Sequence, residues 1–156
     1  MATENERKFL LKNDDWRELQ SIGKTYRQGY INSSNGLNSV RVRICENEAY
    51  LTIKGKNIGI SRTEFEYAIP KEEAEIMLEQ MCDRPLIEKT RYEIQDGDLI
   101  WEIDEFSGEN QGLIVAEIEL TDPEQIITLP PWIGLEVSND SRYFNVNLTK
   151  YPFNQW

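Results

Sequence analysis

Charged and apolar side chains alternate along this chain in stretches that are long enough for β-strands. The first stretch covers residues 4–11. Successive side chains of a strand point to opposite faces, so Glu4, Glu6 and Lys8 would share one face, and Phe9 and Leu11 the other. A single strand exposed to water could carry such a row. The row limits the choice of fold only because later stretches repeat it.

The repeats predict a mainly β protein. We expect strands at residues 25–31, 39–46, 49–56, 61–69, 87–95, 99–106 and 113–121, a turn at 32–36, and short helices at 13–19, 71–81 and 122–125. Several strands carry two acids or two bases, two residues apart, on one face. These pairs are Arg41 and Arg43, Glu64 and Glu66, Lys89 and Arg91, Glu102 and Asp104, and Glu117 and Glu119. The tail from Pro130 onward is aromatic and less regular.

Two arrangements of strands produce this alternation. The first is an open sheet with one face in water. The second is a closed sheet, with charged faces pointing inward and apolar faces meeting helices outside. We favour the closed sheet for two reasons. The apolar faces are spread over the whole chain, with only two or three short helices to cover them. The charged faces also carry few of the Lys, Thr and Ser residues that are typical of an exposed face.

Composition sets further limits on the function. A chain of 156 residues is the length of one domain, spanning residues 1–156. Its 28 acidic and 17 basic residues give a net charge of −11, which argues against binding nucleic acid or an anionic membrane. The absence of histidine excludes serine–histidine and cysteine–histidine catalysis and histidine-ligated zinc. Cys45 and Cys82 form no CxxC pair and no apolar run reaches the length of a membrane span, so we expect reduced thiols and a cytoplasmic location.

A closed sheet with inward charges would enclose a tunnel lined by both signs. Burying charges is costly unless they pair with one another, with a metal or with a ligand. Arginine and lysine bind phosphate oxygens, and carboxylates bind Mg²⁺ or Mn²⁺, which bridge to the same phosphates. An acidic chain holds a polyanion in this way when its basic residues converge in one cavity. The pattern therefore predicts a site for a compact polyphosphate and a divalent metal.

The order of these motifs resembles the CYTH superfamily of triphosphate tunnel metalloenzymes. The resemblance begins with the ExExK pattern at Glu4, Glu6 and Lys8. The other matching segments are V-R-V-R at 40–43, T-I-K-G at 52–55, R-T-E-F-E at 62–66, E-K-T-R-Y at 88–92, E-I-D at 102–104, E-I-E at 117–119 and R-Y-F-N at 142–145. Because the ordered set covers most of the chain, it is more specific than ExExK alone.

This resemblance implies an eight-stranded antiparallel barrel that hydrolyses inorganic triphosphate to diphosphate and orthophosphate with Mg²⁺ or Mn²⁺. The implied substrate-binding residues are Lys8, Arg41, Arg43, Lys54, Arg62, Lys89 and Arg91. The implied metal ligands are Glu4, Glu6, Glu64, Glu66, Asp104, Glu117 and Glu119. Glu64 and Glu66 would also orient and deprotonate the attacking water. Catalysis would further involve Lys8, with Tyr30 as its partner if the second strand lies beside the first.

Other functions in the same superfamily stay open at this point. A class IV adenylate cyclase would use similar phosphate contacts, as would a thiamine or nucleoside triphosphatase. A non-catalytic polyphosphate-binding module is a third alternative, but it would not need so many carboxylates in the tunnel. We expect a small-molecule triphosphate as the partner, no nucleic acid or membrane, and either a monomer or a homodimer.

Overall fold

In the computed structural model, which describes residues 3–19, 22–33 and 38–156, nine strands form one antiparallel sheet. The strands are β1 Thr3–Leu11, β2 Lys24–Tyr30, β3 Ser39–Cys45, β4 Glu48–Lys54, β5 Ser61–Ile69, β6 Ile87–Asp96, β7 Leu99–Phe106, β8 Ile114–Glu119 and β9 Ile133–Glu136. The described residues also form two α-helices, α1 Lys71–Gln80 and α2 Asn145–Lys150, and 3-10 helices at Asp15–Glu18, Gly108–Asn110, Ser141–Tyr143 and Phe153–Gln155.

Eight of these strands close into a barrel. Their order around the barrel is β1-β5-β4-β3-β2-β6-β7-β8, and β8 returns to β1. One edge of β1 pairs with β8, with Lys8 opposite Glu117. The other edge is shared, because β5 covers its first residues and β9 covers its last ones, from Phe9 onward. The predicted closed eight-stranded barrel is confirmed, and β9 is an addition to it.

The apolar faces of the strands lie on the outside of the barrel, as the alternation predicts. Trp101 of β7 is fully buried there, with its ring centroid 5.5 Å from Phe9 and 5.9 Å from Trp132. The first 3-10 helix covers the same wall with the buried Trp16. On the other side of the barrel, α1 packs Leu78 against the outward residues of β3. These two hydrophobic clusters bury the outward apolar faces of the strands and so stabilise the barrel.

A third hydrophobic cluster lies inside the barrel, at one end. Its members continue the faces that carry the charges. Ile87 precedes Lys89 by two residues on β6, and Phe106 follows Asp104 by two on β7, so both pairs share the inward face. Leu148 of α2 is fully buried in this cluster. Helix α2 therefore packs against the inward apolar residues at one end of the barrel.

Three local predictions differ from the structure. The first predicted helix is a 3-10 turn at Asp15–Glu18, anchored by its buried tryptophan and preceded by Asn13, whose Oδ1 accepts a hydrogen bond from the Asp15 backbone N–H at 3.0 Å. Residues 122–125 form a turn rather than a helix, because the side chains of Asp122 and Gln125 bond back to nearby backbone N–H groups. The tail, expected to be irregular, contains β9 and α2.

The turn predicted at 32–36 lies partly outside the described residues. Cys45 and Cys82 are free thiols, as expected. No helix in the described ranges is both long and apolar enough to cross a membrane.

Candidate functional site

The inward faces of the strands enclose a cavity of about 250 Å³. Its lining contains every residue assigned to the site from sequence except Asp104. The basic members are Lys8, Arg41, Arg43, Lys54, Arg62, Lys89 and Arg91, and the acidic members are Glu4, Glu6, Glu64, Glu66, Glu102, Glu117 and Glu119. Seven of the 17 basic residues thus meet seven carboxylates, so this cavity is locally balanced although the chain carries −11. The convergence that an acidic polyanion-binding protein needs is present.

Three carboxylates at one side of the cavity form a group suited to a metal ion. Glu4, Glu6 and Glu119 each place an oxygen within 4.8 Å of the others. Burial, together with Glu4 and Glu6, raises the pKa of Glu119 to about 7. Burial and the nearby Glu117 also raise the pKa of Glu6. Burial is the larger cause of both shifts and the neighbouring carboxylates add to it. Carboxylate oxygens are the ligands that Mg²⁺ and Mn²⁺ prefer.

Lys8 and Glu117 lie next to this carboxylate group and form a buried ion pair. They are directly opposite on β1 and β8, and the Lys8 Nζ donates to Glu117 Oε1. The Lys8 Nζ also lies 3.3 Å from Glu6. Burial alone would lower the pKa of Lys8, but Glu117 and Glu6 outweigh it, and the pKa is raised. Lys8 is therefore a fixed positive charge and not a base at neutral pH.

Lys54 connects the three clustered carboxylates, Glu4, Glu6 and Glu119, to Glu64 on β5. Its Nζ donates to Glu4 Oε2 at 2.9 Å and lies 3.2 Å from Glu64 Oε2. The Arg62 Nε donates to the other Glu4 oxygen at 3.2 Å. Burial acts to raise the pKa of Glu64, yet its contacts with Glu4 and Lys54 outweigh burial and lower it. Glu64 is therefore ionised at neutral pH.

Glu66 is held by two neighbours on adjacent strands. Its Oε2 accepts a hydrogen bond from the Thr52 hydroxyl at 2.8 Å and a longer one from Arg41 Nη2 at 3.4 Å. Among the described residues, its other carboxylate oxygen has no hydrogen-bond partner. The Glu66 side chain is 40% exposed, against 8% for Arg41. This carboxylate is fixed in orientation and open to water on one side.

Asp104 lies beneath the cavity wall instead of lining it. It is fully buried, and its Oδ1 accepts from Arg91 Nε at 2.7 Å. Its Oδ2 accepts from Arg91 Nη2 and from Lys89 Nζ, each at 2.8 Å. Burial would raise the pKa of Asp104, but the two cations lower it. Both oxygens are thus occupied by basic residues that themselves face the cavity.

Burial outweighs the compensating contacts at two cations of the cavity, Lys89 and Arg43. Burial lowers the pKa of Lys89 to about 7 despite Asp104, with Arg91 and Arg43 adding to the shift. Burial, with Arg41 and Arg91 nearby, lowers the pKa of Arg43 to about 10. Arg43 Nε donates to Gln28 at 2.8 Å, but neither Nη atom finds a hydrogen-bond acceptor among the described residues. An anion in the cavity would relieve both groups.

Tyr30 and Lys8 face the same cavity from opposite walls. The sequence analysis made them partners on the condition that β2 lies beside β1. That condition is not met, because β5 and β8 occupy the neighbouring positions and β2 is four strands away in the barrel. Tyr30 is buried, and its hydroxyl accepts a hydrogen bond from Gln28 Nε2 at 3.2 Å. It forms part of the apolar end of the cavity.

The structure adds residues that the site prediction left out. Glu102 lines the cavity and accepts from Arg91 Nη1 at 3.0 Å. Its position two residues before Asp104 on the same strand face was a usable signal. Asn145 of α2 accepts from Lys89 Nζ at 2.9 Å, and Ser138 accepts from the Lys8 backbone N–H at 3.0 Å. Both lie beyond Pro130, where strand alternation gives no signal, although the family resemblance includes Asn145 in the R-Y-F-N segment at 142–145.

Comparison with known proteins identifies the family to which this chain belongs. The CYTH domain model matches residues 2–150, which is nearly the whole chain. The chain belongs to the CYTH family. Inorganic triphosphatase from Acetivibrio thermocellus is 49% identical over 153 residues, covering 98% of this chain and 97% of that protein. Inorganic triphosphatase from Nitrosomonas europaea is 37% identical over 147 residues, covering 92% and 94%.

A solved structure is also similar to this chain. The crystal structure of an inorganic triphosphatase superposes with a TM-score of 0.67 at 30% sequence identity, and the match covers 96% of this chain and 95% of that one. Comparison of sequences and comparison of structures therefore agree on the fold and the family.

Proposed function

We propose that this CYTH protein hydrolyses inorganic triphosphate to diphosphate and orthophosphate with a divalent metal. One observation carries the proposal: the barrel encloses seven basic side chains and seven carboxylates in a cavity of about 250 Å³. Such a cavity suits a small, highly charged anion together with a cation. The two relatives named inorganic triphosphatase, similar over nearly their full length, support the same reaction.

The basic residues would bind the phosphate oxygens and stabilise charge in the transition state. Arg43 is placed for bidentate binding, because both of its Nη atoms lack acceptors among the described residues. Lys89 would regain its full positive charge next to phosphate. The remaining members of this set are Lys8, Arg41, Lys54, Arg62 and Arg91.

Glu4, Glu6 and Glu119 would hold the divalent metal, because an oxygen of each lies within 4.8 Å of the others and the pKa of Glu119 is raised by burial and by its two carboxylate neighbours. The bound metal would neutralise phosphate charge and orient the phosphates. Glu117 is committed to Lys8 and Arg91, and Asp104 to Lys89 and Arg91. We assign both as positioning residues for the phosphate-binding cations, instead of the metal-ligand role that the resemblance implied.

Glu64 and Glu66 would act on the attacking water. As the water oxygen bonds to the terminal phosphorus, the bridging P–O bond breaks and diphosphate leaves with the bonding electrons. Glu66 would take the water proton on its unpartnered oxygen, since Thr52 and Arg41 hold the other. Glu64, paired with Lys54, would orient the water or a second metal.

A phosphate-release panel tests this function. Tripolyphosphate, longer polyphosphate, thiamine triphosphate and ATP are each incubated with Mg²⁺ or Mn²⁺, and orthophosphate and cyclic AMP are both measured. We expect orthophosphate from tripolyphosphate at the highest kcat/KM and no cyclic AMP from ATP. Cyclic AMP as the main product, or no release from tripolyphosphate with either metal, would overturn the proposal.

The Glu66→Gln variant tests the water-activating residue separately. A general base contributes about 10² to 10⁴ in rate, so we expect a fall of that size in kcat with tripolyphosphate binding retained. Glu72→Gln, an exposed change in the first turn of α1, is the control and should match wild type. A Glu66→Gln kcat within threefold of wild type would refute the assignment while leaving the reaction itself in place.

A further inference from the structure

Arg43 differs from the other basic residues of the cavity in the groups that hold it. Six of the seven basic residues in the lining form an ion pair with at least one carboxylate. Arg43 forms no ion pair with any described residue, and its Nε donates instead to the neutral amide oxygen of Gln28 at 2.8 Å. No carboxylate in contact with Arg43 therefore compensates its positive charge.

The side chains that hold Arg43 come from β2. This strand lies between β3 and β6, the two strands that carry paired bases. Gln28 is directly opposite Arg43 in the pairing of β2 with β3. Tyr26 lies two residues before Gln28 and so shares its inward face. Two uncharged side chains of β2 thus lie between the cations of β3 and those of β6.

The ring of Tyr26 contacts two guanidinium groups. Its centroid is 4.9 Å from the Cζ atom of Arg43 and 5.0 Å from the Cζ atom of Arg91. The face of an aromatic ring attracts a cation but carries no net charge. The ring therefore offsets the repulsion between Arg43 and Arg91 and neutralises neither of them.

Gln28 is itself fixed in orientation. It is fully buried, and its Nε2 donates to the Tyr30 hydroxyl and to Asn145 Oδ1, each at 3.2 Å. Because the amide nitrogen is used in this way, the amide oxygen faces the Nε of Arg43. Gln28 thus holds Nε, and the two Nη atoms, which have no acceptor among the described residues, are the donors that remain for a ligand.

On the basis of the proposed triphosphatase function, we propose that Gln28 and Tyr26 are positioning residues that orient Arg43 for phosphate while leaving its charge uncompensated. A carboxylate in place of the amide would also orient the guanidinium, but it would cancel part of the attraction for phosphate. A neutral acceptor and an aromatic ring fix the same geometry without this loss. Arg43 thus binds phosphate with a charge that it shares with no carboxylate.

A double-mutant cycle between Gln28 and Arg43 tests the hydrogen bond. Gln28→Met keeps the length of the side chain and removes the acceptor, whereas Arg43→Lys places a methylene where arginine has Nε. The probe is diimidotriphosphate with Mg²⁺, because its P–N–P bridges resist hydrolysis, and binding is measured by calorimetry. We expect Gln28→Met to weaken binding about tenfold in the wild-type background and less than about twofold in the Arg43→Lys background. A loss of the same size in both backgrounds would show a merely structural role and overturn the proposal.

The control for this cycle is Gln80→Met, the same change at the exposed end of α1, which should bind the probe as wild type does. The ring is tested by Tyr26→Phe, which keeps the aromatic face, and Tyr26→Leu, which removes it. We expect the affinity of Tyr26→Phe to lie within about twofold of wild type and that of Tyr26→Leu to be about fivefold weaker. Equal affinities of these two variants would overturn the role of the ring.

The Gln28→Glu variant tests whether the neutral charge of the acceptor matters. It keeps an oxygen against Nε and gives Arg43 the carboxylate contact that the other six cations have. We expect binding of the probe to weaken about tenfold although the hydrogen bond is retained, with thermal unfolding confirming a folded protein. Binding as tight as that of wild type would show that the acceptor need not be neutral and would overturn this part of the proposal.

Measuring both binding and turnover separates this proposal from the proposed reaction. A protein that shows the expected coupling in the cycle, but releases no orthophosphate from tripolyphosphate, supports the positioning role and contradicts the triphosphatase assignment. A protein that hydrolyses tripolyphosphate but shows no coupling between positions 28 and 43 does the reverse. Failure of the wild-type protein to bind the probe would overturn the positioning role.

Discussion

Replacing Asp104 by Asn tests how the barrel tolerates its buried positive charges. The substitution keeps the shape of the side chain. Within the described part of the chain, it removes the only negative charge that touches both Lys89 and Arg91 at less than 3 Å. At 2.8 Å and an effective dielectric constant of about 20, each contact has a Coulomb energy of about 6 kcal/mol. The net loss is smaller, because the neutral amide of the variant would not carry the desolvation cost of a buried carboxylate.

Removing one partner of a buried ion pair costs about 3–5 kcal/mol. For a chain of 156 residues, 1 kcal/mol shifts the melting temperature by about 2–4 °C, so we expect a fall of about 6–20 °C. Glu105→Gln is the matched control. It lies on the same strand but pairs with Arg17 at the surface, where an ion pair contributes about 1 kcal/mol or less.

The assay is thermal unfolding of both variants with a metal chelator, and then with tripolyphosphate and Mg²⁺. Tripolyphosphate supplies the negative charge that Asp104→Asn removes, so its stabilising shift should be larger in that variant than in wild type. An Asp104→Asn protein that melts within about 2 °C of wild type without ligand would refute the argument. So would a large fall in melting temperature that tripolyphosphate leaves unchanged, because the cations would then not face the substrate.

Two further predictions concern metal binding and phosphate binding. The pKa of Glu119 is raised to about 7, so this carboxyl holds a proton at pH 6. Because a metal ion must displace that proton, the affinity for Mg²⁺ or Mn²⁺ should be about tenfold weaker at pH 6 than at pH 8. Calorimetric titration of wild type and Glu119→Gln checks this, and a variant that keeps the full pH dependence would contradict it. Arg43→Lys keeps the charge but loses the planar donor pair, so the affinity for tripolyphosphate should fall about ten- to hundredfold. Arg27→Lys, at the outer ion pair with Glu75, is the control, and equal affinity of both variants would show that Arg43 does not bind phosphate.

Alternation along the strands was sufficient to predict which side chains face the cavity. Side chains alternate between two faces in any extended strand. In a closed barrel the inward faces all meet in one interior, so the charged faces must line the same cavity. Alternation does not tell whether an inward residue is reached by solvent or is enclosed by its neighbours. Asp104 has the same phase as Glu102, but Lys89 and Arg91 enclose it, which neither the phase nor the family resemblance that implied a metal ligand there could reveal.

The order of the strands and the structure of the segment after Pro130 could not be predicted from the alternation. Tyr30 and Lys8 are on consecutive strands, and neighbours in sequence commonly pair, yet β2 lies across the barrel from β1. Closure decides this, because both edges of β1 are taken by β5, β8 and β9. β9 is only four residues long, and its register on β1 is irregular, so no alternation is visible in it.

The apolar end of the cavity could nevertheless be predicted from the sequence, although not from any single strand. Five of the eight inward faces change from charged or polar to apolar residues, and the apolar member comes last in β1, last in β2, first in β6, last in β7 and first in β8. These members are Leu10, Tyr30, Ile87, Phe106 and Val115. Neighbouring antiparallel strands run in opposite directions, so a first-last alternation around the barrel places all five at one end. The alternation on these five strands therefore places an apolar patch at one end of the cavity, where α2 packs against it.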